Sequence, residues 1–140
     1  MRLIVDTNVV VAAMRSPGGA SAALLVLLLK GRATMLLSAT LAFEYEATCL
    51  RPQHLSAANL SEADVGVLID AIIDASEHVD VHYLWRPQLR DADDEMVLEA
   101  AVNGRAEAIV TFDREDYGAV PSRFGIEVLS PGEVLRRLRK

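Results

Sequence analysis

Short apolar runs and longer stripes at helical spacing alternate along this chain almost from end to end, and that alternation permits few folds. Leu3-Ile4-Val5, Thr34 to Leu37, Ala108 to Phe112 and Ile126 to Leu129 are apolar and rich in β-branched residues, which predicts strands. Between them lie helical patterns: Ala20 to Lys30, Ala39 to about Leu50, Asp94 to Val102 and Pro131 to Arg139. Another runs from a Ser61 cap through Val65, Leu68, Ile69, Ile72 and Ile73 to about His78. Val79 to Tyr83 alternates like one more strand, and Arg114 to Tyr117 suits a short helical turn. The punctuation agrees with this reading. Thr7-Asn8 suits a loop or a cap, Ser16-Pro17-Gly18-Gly19 a loop, and Arg51-Pro52 a helix end. Arg86-Pro87 opens a further loop and Gly104 closes a helix. Strand and helix in alternation imply a parallel sheet covered on both faces. The expected architecture is an α/β, three-layer α/β/α sandwich whose central, mostly parallel sheet has about five strands. With 140 residues, 51% of them hydrophobic, residues 1–140 are expected to form a single domain with a proper core.

Four acids stand where such a fold could bring them together. Asp6 ends the first strand and Asp113 follows Ala108 to Phe112 in the same way. Ligand sites in parallel α/β sheets lie outside the carboxyl ends of the strands, so neighbouring strands would put both carboxylates on one rim. Asp94 begins a helix with an acidic first turn, and Glu44 sits one turn from Leu41 and Thr48 beside the expected buried stripe of its helix. Each acid also has a purely structural reading. First-turn acids such as Asp91, Asp93 and Asp94 complement the helix dipole, an acid after a strand can cap a turn, and Glu44 alone would be a solvated helix residue. Their joint placement raises the functional reading.

Composition narrows the setting. A single cysteine, Cys49, excludes an internal disulfide framework and a cysteine-rich zinc site, and points to a reducing cytoplasm. The apolar block Ala20 to Leu29 falls short of the roughly 20 residues that a bilayer requires, so no membrane association is expected. A net charge of -6 argues superficially against a nucleic-acid partner, but acids gathered around a divalent metal would be largely neutralised by it.

Hard divalent cations such as magnesium and manganese prefer oxygen ligands, and carboxylates unpaired by lysine or arginine repel one another without one. A metal so held activates water and stabilises charge developing on a phosphoryl group. Phosphotransfer through an aspartate is the rival for this fold class. It relies on a lysine near the phosphoryl group, yet the chain has only Lys30 and Lys140, and the second aspartate of that pattern is replaced by Asn8. His54, His78 and His82 stand in no nucleophile motif and read as surface or structural residues. No P-loop or dinucleotide-binding glycine motif occurs.

Val5-Asp6-Thr7-Asn8-Val9, Ser16 to Gly19, Ser38 to Glu44, Arg90-Asp91-Ala92-Asp93-Asp94, Val110-Thr111-Phe112-Asp113 and Leu129 to Glu133 occur in an order that resembles the PIN-domain ribonucleases. The likeness extends in particular to VapC-type toxins of toxin–antitoxin systems. It implies that Asp6, Glu44, Asp94 and Asp113 are catalytic, metal-binding acids, with Asp6 and Asp94 foremost. It implies further that Thr7, Asn8 and Thr111 orient those acids, that Asp91 shapes the loop, and that Asp116 is an accessory acid. Two departures stand out. Phe112 replaces the glycine or arginine that usually precedes the fourth acid, and a basic substrate clamp is indistinct. Arg15, Arg90 and Arg114 lie nearest the motifs. Arg136, Arg137, Arg139 and Lys140 would either contact RNA or complement a helix C-terminus.

The resulting expectation is a cytoplasmic Mg2+- or Mn2+-dependent endoribonuclease, the toxin of a toxin–antitoxin pair. The resemblance implies a homodimer and a small antitoxin protein as partners. A catalytically silent PIN-fold interaction module is the alternative, and a small-molecule phosphatase a more remote one.

Overall fold

The computed structural model describes residues 1–82 and 89–139. Its strands are β1 (Arg2–Val5), β2 (Thr34–Leu37), β3 (Glu77–His78), β4 (Ala108–Val110) and β5 (Glu127–Leu129). They form one sheet in the order β3-β2-β1-β4-β5 with every pairing parallel. Eight helices are described: α1 (Thr7–Arg15), α2 (Ala20–Leu29), α3 (Ala39–Cys49), α4 (Pro52–Ala58), α5 (Glu62–Ala75), α6 (Ala92–Asn103), α7 (Arg114–Tyr117) and α8 (Pro131–Leu138). The three-layer α/β/α sandwich and its five parallel strands are as expected from the sequence.

The central strands are apolar on both faces because helices cover both. Leu3, Ile4, Met35, Leu36, Ala108, Ile109 and Val110 are all fully buried. Strand order reverses at β1: the chain builds outward through β2 and β3, then returns to place β4 and β5 on the other side. Such a reversal leaves a crevice at the carboxyl ends of the two strands that flank it, here β1 and β4. The backbone N–H of Asp6 donates to the Val110 carbonyl at 2.9 Å, so the last rung of that pair holds the crevice floor.

Several local expectations differ from the structure. Thr7-Asn8 is neither loop nor isolated cap but the first turn of α1, whose Val9, Val10, Val11, Ala13 and Met14 are buried. Packing against α2 and α3 overrides the poor helix preference of three consecutive valines. The helix expected to reach His78 stops at Ala75, since Ser76 takes an extended backbone and Glu77–His78 pair with Leu36 and Leu37. Strand β3 therefore lies just before the expected Val79 to Tyr83. Val79 is buried without being a strand residue, and Tyr83 and the Arg86-Pro87 loop fall outside the described residues. Arg51-Pro52 does end α3, but Pro52 also occupies the first turn of α4, where its missing N–H costs nothing. Helix α6 begins two residues before Asp94, at Ala92.

Ser61 caps α5 through a capping box with Asp64, and Ser130 caps α8 in the same way with Glu133. Gly104 closes α6 for a reason of space rather than handedness. A Cβ there would lie 2.8 Å from Val79 Cγ2 and 2.9 Å from the Ala100 carbonyl oxygen, and the left-handed residue is Arg105, with φ 55°. Among the described residues no single helix is long and apolar enough to cross a membrane.

Candidate metal and nucleic-acid cleft

The crevice at the β1/β4 reversal is a cleft of about 320 Å³. Its walls carry seven acids: Asp6, Glu44, Asp91, Asp93, Asp94, Asp113 and Asp116. The four acids singled out from the sequence are thus brought together from a strand end, the middle of α3, the first turn of α6 and the residue capping α7. None of those four forms an ion pair with Arg, Lys or His among the described residues.

Asp6 is the most constrained. It is 8% exposed, and its Oδ2 accepts hydrogen bonds from the Thr111 hydroxyl at 2.7 Å and the Tyr117 hydroxyl at 3.0 Å. Burial pushes its carboxyl pKa up, Thr111, Tyr117 and the Thr7 backbone N–H pull it back, and the Asp113 charge adds to the rise. Thr111 is fully buried and serves as the hub. Its hydroxyl donates to Asp6 and accepts from the Asp113 backbone N–H at 3.1 Å, with the Asn8 amide nitrogen at 3.5 Å. Asn8 also donates to Asp113 Oδ2 at 2.9 Å. Because a carboxylate only accepts, this bond turns the Asn8 carbonyl oxygen away from Asp113, where it is buried without a hydrogen-bond partner among the described residues.

Tyr117 was not foreseen from the sequence. It is fully buried, and burial, followed by the charges of Asp6 and Asp94, raises its hydroxyl pKa, so it remains a proton donor to Asp6. No local pattern signals a contact between residues 111 positions apart. Tyr45 similarly donates from beneath to the Val5 carbonyl, fastening α3 to the end of β1.

Asp94 faces the cleft from α6. Burial, then the charges of Asp6, Asp91, Asp116 and Asp93, push its carboxyl up to about 6. Asp91 accepts the Asp93 backbone N–H at 2.8 Å and caps α6. Glu44 is half-buried and accepts the Thr48 hydroxyl at 3.0 Å, a partner one turn away that had read only as part of the buried stripe. Asp116 lines the cleft and an adjoining hollow that it shares with Arg90, Asp91 and Asp94.

The remaining sequence candidates scatter. Thr7 lines the cleft, but Phe112 is half exposed and does not. Arg114 is paired with Glu133 and Arg137 with Glu127, and none of Arg136, Arg137 or Arg139 reaches the cleft wall. His78 pairs with Asp80, whereas Arg51 and His54, unremarkable in the sequence, do line the cleft.

The cleft lining suits a hard cation: carboxylate oxygens and no thiolate. Among the described residues no three His, Cys, Asp or Glu side chains already stand at metal-holding distances. Magnesium does not need such a cage, since it is usually held by one or two carboxylates and several waters.

The family model for the PIN domain matches residues 2–115. A solved structure of VapBC2 from Rickettsia felis, bound to a DNA fragment from their promoter, shares the fold with a TM-score of 0.63 at 15% identity, covering 93% of this chain and 98% of that one. No curated protein matches the sequence. A parallel sheet reversing at β1, an acidic cleft at that reversal and a family match over most of the chain agree, and the chain belongs to the PIN domain family.

Proposed function

We propose that this protein is a metal-dependent endoribonuclease that hydrolyses RNA phosphodiester bonds, with Mg2+ or Mn2+ held chiefly by Asp6 and Asp94. The observation that carries the reading is a cleft holding seven acids, of which Asp6, Glu44, Asp94 and Asp113 have no cationic partner among the described residues, in a chain of the PIN domain family. Burial, then the charges of Asp6, Asp91, Asp116 and Asp93, raises the Asp94 carboxyl pKa, and a divalent cation would relieve the part of that cost that comes from repulsion. When bound, the metal would supply an activated water and neutralise charge developing on the phosphate.

The chain's own residues hold and orient. Thr111 and Tyr117 both bond Asp6 Oδ2, which fixes the carboxylate plane before any ligand arrives. Asn8 and the Thr111 hydroxyl position Asp113, and Thr48 restrains Glu44. Asp113, Glu44 and the accessory Asp116 would complete the coordination through water or place the attacking water. The chain is further read as one domain over residues 1–140, as a cytoplasmic protein, and as the toxin of a toxin–antitoxin pair that dimerises and is blocked by a small antitoxin. The fold shared with VapBC2 supports this finer assignment.

The test is cleavage of single-stranded RNA by the purified protein with magnesium, with manganese and with chelator. Metal-stimulated cleavage that falls by about 100-fold or more in both Asp6→Asn and Asp94→Asn is expected. Absence of metal-stimulated cleavage, or cleavage indifferent to both substitutions, overturns the reading.

A further inference from the structure

One wall of the acidic cleft is basic. Arg51 lies at the corner between α3 and α4 as the residue capping α4, and His54 follows on the first turn of that helix. Both line the cleft with the acids. Arg15, the last residue of α1, does not itself line the cleft but reaches His54, with its Nη1 3.2 Å from His54 Nδ1. An arginine can only donate, so Nδ1 accepts, and the ring proton of the neutral imidazole is on Nε2.

Two features separate this wall from ordinary solvated arginines. Arg51 and His54 share a cleft with seven acids, a placement that other unpaired arginines such as Arg32, Arg105 and Arg123 lack, and neither they nor Arg15 forms an ion pair with any carboxylate among the described residues. The imidazole is also placed beside like charge: burial, then Arg15 and Arg51, lowers the His54 pKa. The Arg15–His54 hydrogen bond leaves the guanidinium charge unneutralised, and an anion laid across the pair can accept from the remaining guanidinium N–H groups and from the imidazole Nε2–H.

We infer that Arg15, Arg51 and His54 form a phosphate-binding rim that grips the backbone of a single-stranded RNA beside the bond to be cut. The inference rests on the nuclease reading for its choice of ligand. A metal in the acidic centre neutralises the surroundings of one phosphate only, and the flanking phosphates of the strand would face Asp91, Asp93 and Asp116 unless cations met them. The rim supplies those cations from α1 and α4, which fixes the wall along which the strand leaves the cleft.

The experiment measures binding apart from cleavage. The full chain carrying Asp94→Asn is titrated into a labelled short single-stranded RNA with magnesium present, and fluorescence anisotropy is followed across a salt series. Arg51→Ala should weaken binding by about tenfold. It should also lower the slope of log affinity against log salt by about 0.7 for each lost phosphate contact. Arg51→Lys should restore the slope, His54→Gln should weaken binding less than Arg51→Ala, and Arg136→Ala should change neither affinity nor slope. Where the chain with Asp94 intact cleaves, Arg51→Ala should raise KM and leave kcat within about twofold.

Wild-type slope and affinity in both Arg51→Ala and His54→Gln overturn the rim even if cleavage is robust. So does an Arg51→Lys chain that binds as weakly as Arg51→Ala, or a parent chain that binds no RNA. If the chain with Asp94 intact cleaves nothing but Arg51→Ala still lowers the slope, the rim stands and the nuclease reading falls.

Discussion

Helix α3 borders two hollows of opposite character. One side gives Glu44 and Thr48 to the acidic cleft of about 320 Å³, and another gives Ala42, Phe43 and Glu46 to an apolar groove of about 410 Å³ shared with Ile69 and Ile73 of α5. The groove is the larger of the two, and its apolar lining is the kind that commonly takes a ligand. The cleft, however, lies at the strand-order reversal, and its side chains are held by hydrogen bonds that cross the fold from β1 to α7. Among the described residues, the side-chain hydrogen bonds of the groove's Ser38, Ser76 and His78 are all local, to partners two to four residues away along the chain. Volume measures where a surface is uncovered, while fixed, mutually unfavourable charges mark where a fold has paid for chemistry.

That contrast breaks first at Thr111. Thr111→Val keeps the shape and removes the hydroxyl, which leaves Asp6 Oδ2 and the Asp113 N–H each short of a partner. A loss of about 1 to 3 kcal/mol in denaturant unfolding is expected, together with a fall in metal-stimulated cleavage. Tyr117→Phe removes one bond to the same oxygen and should cost about 1 kcal/mol. If neither substitution is felt, the cleft is no more organised than the groove.

A smaller effect sharpens the electrostatic half of the comparison. The Asp94 carboxyl titrates at about 6 in the fold against 3.8 when unperturbed, so the folded state favours its protonated form. The associated stability is present below the unfolded value and is lost as pH rises through about 6. Asp94→Asn removes that loss. In chelator at about pH 8 the variant should be more stable than the parent by about 1 kcal/mol after allowance for solvent screening, and at about pH 3.5 the difference should vanish. Magnesium should stabilise the parent more than it stabilises Asp94→Asn, which keeps Asp6, Glu44 and Asp113 in the cleft. A parent as stable as Asp94→Asn in chelator at about pH 8 would show that the ionised Asp94 carries no such cost.

The smallest effect belongs to the groove. Phe43 is 75% exposed, so Phe43→Ser should shift stability by no more than about 0.5 kcal/mol and leave RNA cleavage unchanged. Loss of cleavage in that variant would join the two hollows functionally.

The sequence exposes what is local and periodic. Asp6 and Asp113 were legible because a carboxylate follows an apolar run, and Ser61 because a serine stands just ahead of the apolar stripe that begins at Val65. Strand β3 is two exposed residues with no pattern of their own, and it is a strand only because β2 offers it an edge. Helix α1 was hidden by its valines, whose burial against α2 and α3 is a tertiary fact. The same limit applies at the site. Tyr117 meets Asp6, and Arg15 meets His54, across separations that no window along the chain can see.

The central position of β1 also governs when a cleft can exist. The strand at residues 2–5 completes its rung with Val110, and the hub residue Thr111 pairs in turn with Leu129 of β5. A ribosome that has finished the first hundred residues holds Asp6, Glu44 and Asp94 on a chain that still lacks Thr111, Asp113 and Tyr117. Contacts so distant in sequence form late, because loop closure must precede them. The strand made first waits for the strands made last, and an unfinished chain carries its acids without a floor to gather them on.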